Sequence, residues 1–396
     1  MAATHVIVGA GQAGAHAAVA MREAGFAGRI LLIGEENERP YERPPLSKEA
    51  LTGPPAPPLY FRNTARYDEL GIDLLLGTAV TAINPARKQV VLAGGSSLGF
   101  TRLLLATGGR ARPLRVAGGG EVLTLRTLAD AARIRAALEP GRRVVCIGAG
   151  VIGLEVASSA KARGCVVDVI EAGPSVMGRC IGPEIAAWVA RLHATNRVTL
   201  HLGAAVEAVE NGRVVFGGGR EIPADCVIAG VGMERNVERA ASAGLRVDDG
   251  IVVDEFGCTT VDGIYAAGDV AAFWAPRLRR HVRLESWKHA QDHGIAVGRA
   301  MADSGKPYDE IPWFWTDQHG VNFQLAGTPE GASSTIIRGD PHASRFSAWH
   351  LDAEDRAVGV AGVNAPRDVR AGLSYMRAGR RLDRAVLADP AVPLRP

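Results

Sequence analysis

The sequence predicts an α/β protein with two Rossmann-like domains and a small C-terminal α/β domain. Three observations carry that expectation. The pattern G-x-G-x-x-G occurs twice, at Gly9, Gly11 and Gly14 and again at Gly148, Gly150 and Gly153. In both copies an apolar β-branched run (Val6-Ile7-Val8; Val144-Val145-Cys146-Ile147) leads in and a helix-forming run leads out, the strand-turn-helix context the pattern requires. Each copy is then followed by an apolar strand ending in an acid: Glu35 lies 21 residues beyond Gly14, and Glu171 lies 18 beyond Gly153. Both fit the spacing of about 20 for a carboxylate that holds a ribose 2′-hydroxyl.

The glycines have separate tasks. The first allows the tight turn, the second lets backbone approach a pyrophosphate, and the third lets helix pack on strand, while the helix N-terminus offers free N–H groups to the phosphates. One such turn also serves as an ordinary strand-to-helix connection. Two complete copies, each with its acid, point to two different dinucleotides on one chain. Bulk at Gly11 or Gly150 is expected to block the ligand.

At 396 residues and 47% hydrophobic, the chain is long enough for two or three cored domains. A formal charge of +3 is too small to argue for nucleic acid. No apolar run approaches the roughly 18 residues of a membrane span, and Met1 leads almost directly into the first strand. A cytoplasmic protein with no membrane partner is expected. The five cysteines form no C-x-x-C, and several sit inside expected strands as small buried hydrophobes, so no metal site is expected. None precedes Cys146, which disfavours reduction of disulfides or peroxides through a thiol beside an N-terminal redox cofactor.

Beyond Glu35, Arg43 and Lys48 bring positive charge next to the first nucleotide site, suited to the anionic ring of a reduced flavin or else solvated on a surface turn. Ser47 is expected to cap a short helix over 48–51. Strands are expected over 74–80, 88–92 and 102–106, the last running into Ala106-Thr107-Gly108-Gly109, where the chain turns or approaches a ligand. Residues 108–113 are a first crossing between domains. Thr127 or Asp130 caps the next helix, Pro140-Gly141 stops it, and 224–231 forms the last buried strand of the second unit. Arg179 either reaches a phosphate or ribose or is solvated. At Gly268-Asp269-Val270, the Asp is placed to accept from a polyol while the next backbone N–H points at a ring carbonyl. The aromatic run over 312–318 fills a core or forms a flat lid over an isoalloxazine. Strands near 345–349 and 358–363 and a helix from 365 make the last domain.

These residues resemble the FAD-dependent, NADH-using ferredoxin reductases of bacterial oxygenase systems, relatives of putidaredoxin reductase and of apoptosis-inducing factor. The resemblance runs end to end: Gly9 to Gly14, Arg43-Pro44-Pro45-Leu46-Ser47-Lys48, Ala106-Thr107-Gly108, Leu125-Arg126-Thr127-Leu128, Gly148 to Glu155, Tyr265-Ala266-Ala267-Gly268-Asp269, Trp313-Phe314-Trp315-Thr316-Asp317-Gln318 and Leu387-Ala388-Asp389-Pro390. It implies a glutathione-reductase-like architecture, with an FAD-binding domain over 1–111 and 238–319, an NADH-binding domain over 112–237 and a C-terminal domain over 320–396. FAD would be held by Gly9, Gly11, Gln12, Ala13, Gly14, Glu35 (adenosine ribose), Arg43, Lys48 (flavin edge), Val80, Ala106, Thr107, Gly108, Arg126 (phosphates), Gly268, Asp269 (ribityl chain), Val270 and Ala290, with Trp287 and Trp315 flanking the ring. NADH would meet Gly148, Gly150, Val151, Ile152, Gly153, Glu155 (nicotinamide amide), Glu171 (adenosine ribose), Arg179 and Gly232. Lys48, Glu155 and Trp315 are the residues expected at the chemistry, as electrostatic and positioning groups, with no side-chain nucleophile. The chain departs from the family at Glu234-Arg235-Asn236, where a Pro is frequent, and at His319, where Tyr is frequent.

The resemblance implies electron transfer from NADH through FAD to an acidic, transiently bound two-iron ferredoxin that feeds a Rieske dioxygenase or haem monooxygenase. Arg277, Arg279, Arg280 and Arg283 are its expected docking patch, unless they are a solvated basic loop. NADH is expected over NADPH, since Glu171 would repel a 2′-phosphate. An NADH oxidase, or a flavin-bearing redox sensor like apoptosis-inducing factor, remains open at this stage.

Overall fold

Buried β-branched runs set the frame. In the computed structural model, residues 3–54, 60–61, 67–178 and 180–395 are described. The helices among them are α1 (Gln12–Glu23), α2 (Glu49–Thr52), α3 (Leu128–Ala137), α4 (Val151–Ala162), α5 (Pro183–Thr195), α6 (Glu238–Ser242), α7 (Trp287–Met301), α8 (Pro366–Ala378) and α9 (Arg384–Ala388). The chain divides into two units, one of Met1–Arg43, Pro57–Arg110 and Met233–Glu310, the other of Pro44–Ala56, Ala111–Gly232 and Ile311–Pro396.

The first unit is built on a parallel sheet in the order Ile264–Ala266, Arg102–Leu105, Thr4–Val8, Arg29–Ile33, Ile72–Leu75. Thr4–Val8 is central, so the strand order reverses beside it, and the crevice at its carboxyl end is where an open α/β sheet takes a ligand. Val6, Ile7, Leu32, Leu103 and Leu104 are fully buried, as strands covered on both faces must be. α1 lies against α7 at close range: a Cβ on Gly294 would stand 2.3 Å from the Ala13 carbonyl oxygen, and one on Gly298 would stand 2.4 Å from that of Ala17. The strand expected over 74–80 is two strands instead. Ile72–Leu75 belongs to the parallel sheet and Val80–Asn84 to an antiparallel meander, with Gly77 turning the chain between them at φ +63°.

The second unit repeats the device with the parallel order Val198–Leu202, Val166–Glu171, Arg143–Ile147, Cys226–Ala229, Leu123–Thr124. The strand expected over 224–231 is the shorter Cys226–Ala229. Thr127 caps α3 in a capping box, accepting from the Asp130 N–H while Asp130 accepts from the Thr127 N–H. This unit also holds an antiparallel sheet ordered Trp313–Gln318, Val321–Gly327, Ala357–Val363, Phe346–Leu351, Ser334–Gly339, covered by α8. The aromatic run is therefore the edge strand of that sheet. Alternation turns Thr316 and Gln318 to one face and Trp315 and Asp317 to the other.

Candidate functional site

In the first unit the Gly-rich turn joins Thr4–Val8 to α1. Gly9 sits at φ +112°, and a Cβ there would lie 2.2 Å from the Ala106 carbonyl oxygen; one on Gly14 would lie 2.0 Å from that of Gly9. Around Gly11 there is open space within 4 Å. α1 has no side-chain cap and no acid in its first turn, so its leading N–H groups await an anion. The Gln12 Nε2 is buried without a hydrogen-bond partner among the described residues. This cradle fits a dinucleotide pyrophosphate. Glu35 is exposed just past the end of its strand.

Ala13, Gly268 and Ala290 meet nearby, a Cβ on Gly268 falling 2.8 Å from that of Ala13 and 3.8 Å from that of Ala290. Gly268 donates its N–H to Nδ1 of buried His293 at 3.2 Å. Burial, then the neighbouring His289, holds the His293 pKa well below its ordinary value, so the ring stays the neutral acceptor this bond needs. His289 donates to or accepts from the Tyr308 hydroxyl at 3.0 Å, and burial pulls its pKa down to about 3. Trp287 follows the Ser286 cap of α7, and its indole N–H donates to Glu42, whose pKa burial raises. Thr107 donates its hydroxyl to the Asn236 carbonyl, and the Asn236 amide donates to the Thr107 carbonyl, both at 2.9 Å. Neither the His293 support nor this clasp was anticipated, because both join residues far apart in sequence. Val80 opens its strand half-buried.

Arg43 donates to Glu36 and to the Tyr41 hydroxyl, at 2.7 and 3.0 Å, which balances much of the charge expected there. The four-arginine patch is also reduced. Arg277 pairs with Asp309 at 2.9 Å, and Arg283, mostly buried, pairs with Asp249 and Glu285. Arg279 and Arg280 are exposed on either side of the turn's last step, next to exposed Leu278.

The second unit carries the matching cradle. A Cβ on Gly153 would lie 2.0 Å from the Gly148 carbonyl oxygen, whereas the nearest atom to one on Gly150 is the Gly230 oxygen at 4.0 Å. α4 likewise starts without a side-chain cap or a first-turn acid, and Ile152 is exposed at its head. Glu171 is fixed by two backbone donors, Ala149 to Oε2 and Gly173 to Oε1, each at 2.7 Å. Each oxygen retains a lone pair for a diol. Gly232 is at φ +106°, accepting at its carbonyl from the Arg112 N–H at 3.0 Å. Arg179 lies outside the described residues.

Glu155, 3% exposed, faces three donors: the Lys48 ammonium at 2.9 Å and the Ser47 hydroxyl, both on Oε2, and the Thr316 hydroxyl at 2.6 Å on Oε1. Ser47 is thus not a helix cap. It closes a 3-10 turn over Pro44–Ser47, and Lys48 precedes α2 with no side-chain cap. Trp315 stacks on Trp313 with ring centres 5.4 Å apart, and Arg126 donates its N–H to Asp130 at 3.0 Å. None of the five cysteines forms a disulfide among the described residues, and burial raises the thiol pKa of Cys226 and of Cys258 to about 11 and those of Cys146 and Cys165 as well. Such thiols stay protonated and inert.

The sequence profile described as pyridine nucleotide-disulphide oxidoreductase matches residues 3–294, and that described as reductase C-terminal matches 313–396. The chain is 40% identical to the ferredoxin–NAD(+) reductase component of the p-cumate 2,3-dioxygenase system of Pseudomonas putida, over 98% of this chain and 97% of that protein. It superimposes with a TM-score of 0.95 on the ferredoxin reductase for the CYP199A2 system from Rhodopseudomonas palustris, at 36% identity over 99% and 98% of the two chains. The covalent putidaredoxin reductase–putidaredoxin complex gives the same TM-score at 37% identity over 99% and 97%. The chain belongs to the pyridine nucleotide-disulphide oxidoreductase family, among the ferredoxin–NAD(+) reductases of oxygenase systems.

Proposed function

We infer that this chain carries electrons from NADH through bound FAD to a two-iron ferredoxin that feeds an oxygenase. The observation that carries the reading is the pair of cradles, each tightly closed at its first and third glycines, open at the second, and ending on an uncapped helix. Flavin, when bound, takes an electron pair from nicotinamide and releases electrons singly, as an iron-sulfur acceptor requires.

FAD is assigned to 1–111 with 238–319, NADH to 112–237, and the last domain to 320–396. Gly9 to Gly14, Val80, Ala106 to Gly108, Gly268 to Val270, Trp287 and Ala290 hold the first ligand, with Glu35 on its ribose, Arg43 and Lys48 as cations, Arg126 toward phosphate and Trp315 against the ring. Gly148, Gly150 to Gly153, Glu171 and Gly232 hold the second. Glu155 fixes the Lys48 ammonium, and its Oε1, which accepts only from Thr316 among the described residues, keeps an acceptor position for a carboxamide N–H. The fixed Glu171 carboxylate repels a 2′-phosphate by on the order of 1 to 4 kcal/mol per unit charge, which favours NADH.

The ferredoxin is acidic and binds transiently, steered by the exposed turn that carries Arg279. The cytoplasm, where NADH circulates and thiols stay reduced, is the proposed location. Anaerobic NADH should bleach the reconstituted yellow protein, and turnover with a two-iron ferredoxin and cytochrome c should follow. A protein that stays colourless or oxidised overturns the reading, and equal efficiency with NADPH overturns the Glu171 assignment. Ferredoxin turnover should fall steeply between low and moderate salt. Indifference to ionic strength would remove the arginine docking site.

A further inference from the structure

One continuous chain of hydrogen bonds enters the Lys48–Glu155 pair from behind. Thr316 donates to Glu155 Oε1 at 2.6 Å. With its single proton spent there, its oxygen accepts from Gln318 Nε2 at 3.1 Å. That fixes the amide: Gln318 Oε1 faces Nε2 of His193 at 2.9 Å and must accept from it. His193 is therefore the Nε2–H tautomer, and its Nδ1 is left to accept from Nε2 of His319 at 3.2 Å. His319 is anchored in turn, its backbone N–H donating to Ser158 on α4 at 2.8 Å while its φ is +50°. Thr316, Gln318 and His193 are all at most 1% exposed.

We propose that His193 and His319 are positioning residues for the reductase: through Gln318 and Thr316 they hold a hydroxyl proton on Glu155, and so fix the Lys48 ammonium. The geometry allows one polarity only, every donor pointing toward the carboxylate, and bonds aligned this way strengthen one another. A proton on Nδ1 of His193 would set two donors against each other at the His319 contact. Burial, followed by the Gln318 hydrogen bond acting in the opposite sense, leaves the His193 pKa lowered, which keeps the ring neutral. The functional consequence of this arrangement rests on the reading of Lys48 and Glu155 given above.

The test uses holoenzyme labelled with ¹⁵N-histidine at neutral pH, with His319→Phe for assignment. The wild type should show His193 as a single neutral tautomer, Nε2 protonated and Nδ1 not. Thr316→Val, which removes only the hydroxyl link, should mix the two tautomers and slow anaerobic reduction by NADH about fivefold, one hydrogen bond's worth. Thr316→Ser should restore both. Thr316→Val/His319→Phe should be no slower than Thr316→Val alone, as for links of one chain already cut. A wild-type His193 protonated on Nδ1, or nitrogen signals that Thr316→Val leaves unaltered, would overturn the relay. If NADH fails to reduce the wild type, the functional reading falls while the nitrogen signals still decide the relay.

Discussion

Gly11 and Gly14, three residues apart, separate binding from folding. A Cβ on Gly11 meets nothing within 4 Å, whereas one on Gly14 would sit 2.0 Å from a backbone oxygen. Gly11→Ala should therefore fold with the denaturation midpoint of the wild-type apoprotein and lose FAD affinity, while Gly14→Ala should fail to accumulate as folded protein. Flavin absorbance and circular dichroism on the two variants check this. Gly150→Ala should keep the flavin and raise KM for NADH, which steady-state kinetics will read. These glycines, with Glu35 and Glu171, were legible because fingerprint and acid lie within one strand-turn-helix-strand unit. Ser47 was not: it had the composition of a cap, but its hydroxyl serves a carboxylate 108 residues away. Arg277 and Arg283 likewise read as free charge until the fold brought Asp309, Asp249 and Glu285 against them.

Periodic elements followed the sequence well where local signals were complete, as at the Thr127 box. They failed where a single glycine decided the outcome, as at Gly77 within the expected 74–80 strand. The antiparallel sheet that starts at Trp313 was only partly read, since a run of aromatics obscures the alternation that marks an edge strand. The closing segment was singled out only for its Leu387-Ala388-Asp389-Pro390 motif, and neither α9 nor what anchors it was foreseen. The Arg338 guanidinium, 6% exposed, donates to the carbonyls of Leu387, Asp389 and Val392 at 3.1, 2.5 and 2.7 Å, and lies 3.6 Å from Asp368. Arg338→Leu should cost on the order of 3 kcal/mol and expose the amides after α9 to rapid exchange. Arg338→Lys should recover only part of this, because an ammonium cannot span those acceptors as a planar fork does. Thermal melts and hydrogen exchange across 385–392 measure both effects.

For the whole molecule, buried imidazoles set the acid limit. His289 and His293 stay neutral when folded and take up protons on unfolding, so their contribution is complete above pH ~6.5 and declines as pH falls, for His289 toward about 3. The slope is up to ~1.4 kcal/mol per pH unit for each ring. Denaturation midpoints should drop between pH 7 and pH 5, and His289→Asn, able to keep a bond to Tyr308, should flatten that drop. An identical pH dependence in wild type and variant would exclude these rings as the cause. The contact between α1 and α7 ties two properties together that are usually assayed apart. The first of these helices starts at the phosphate turn, the second starts at Trp287, and Gly294 and Gly298 let them touch backbone to backbone at Ala13 and Ala17. Heating should then release the pigment and melt the helices in a single event, so that the colour of a preparation reports the integrity of its interior.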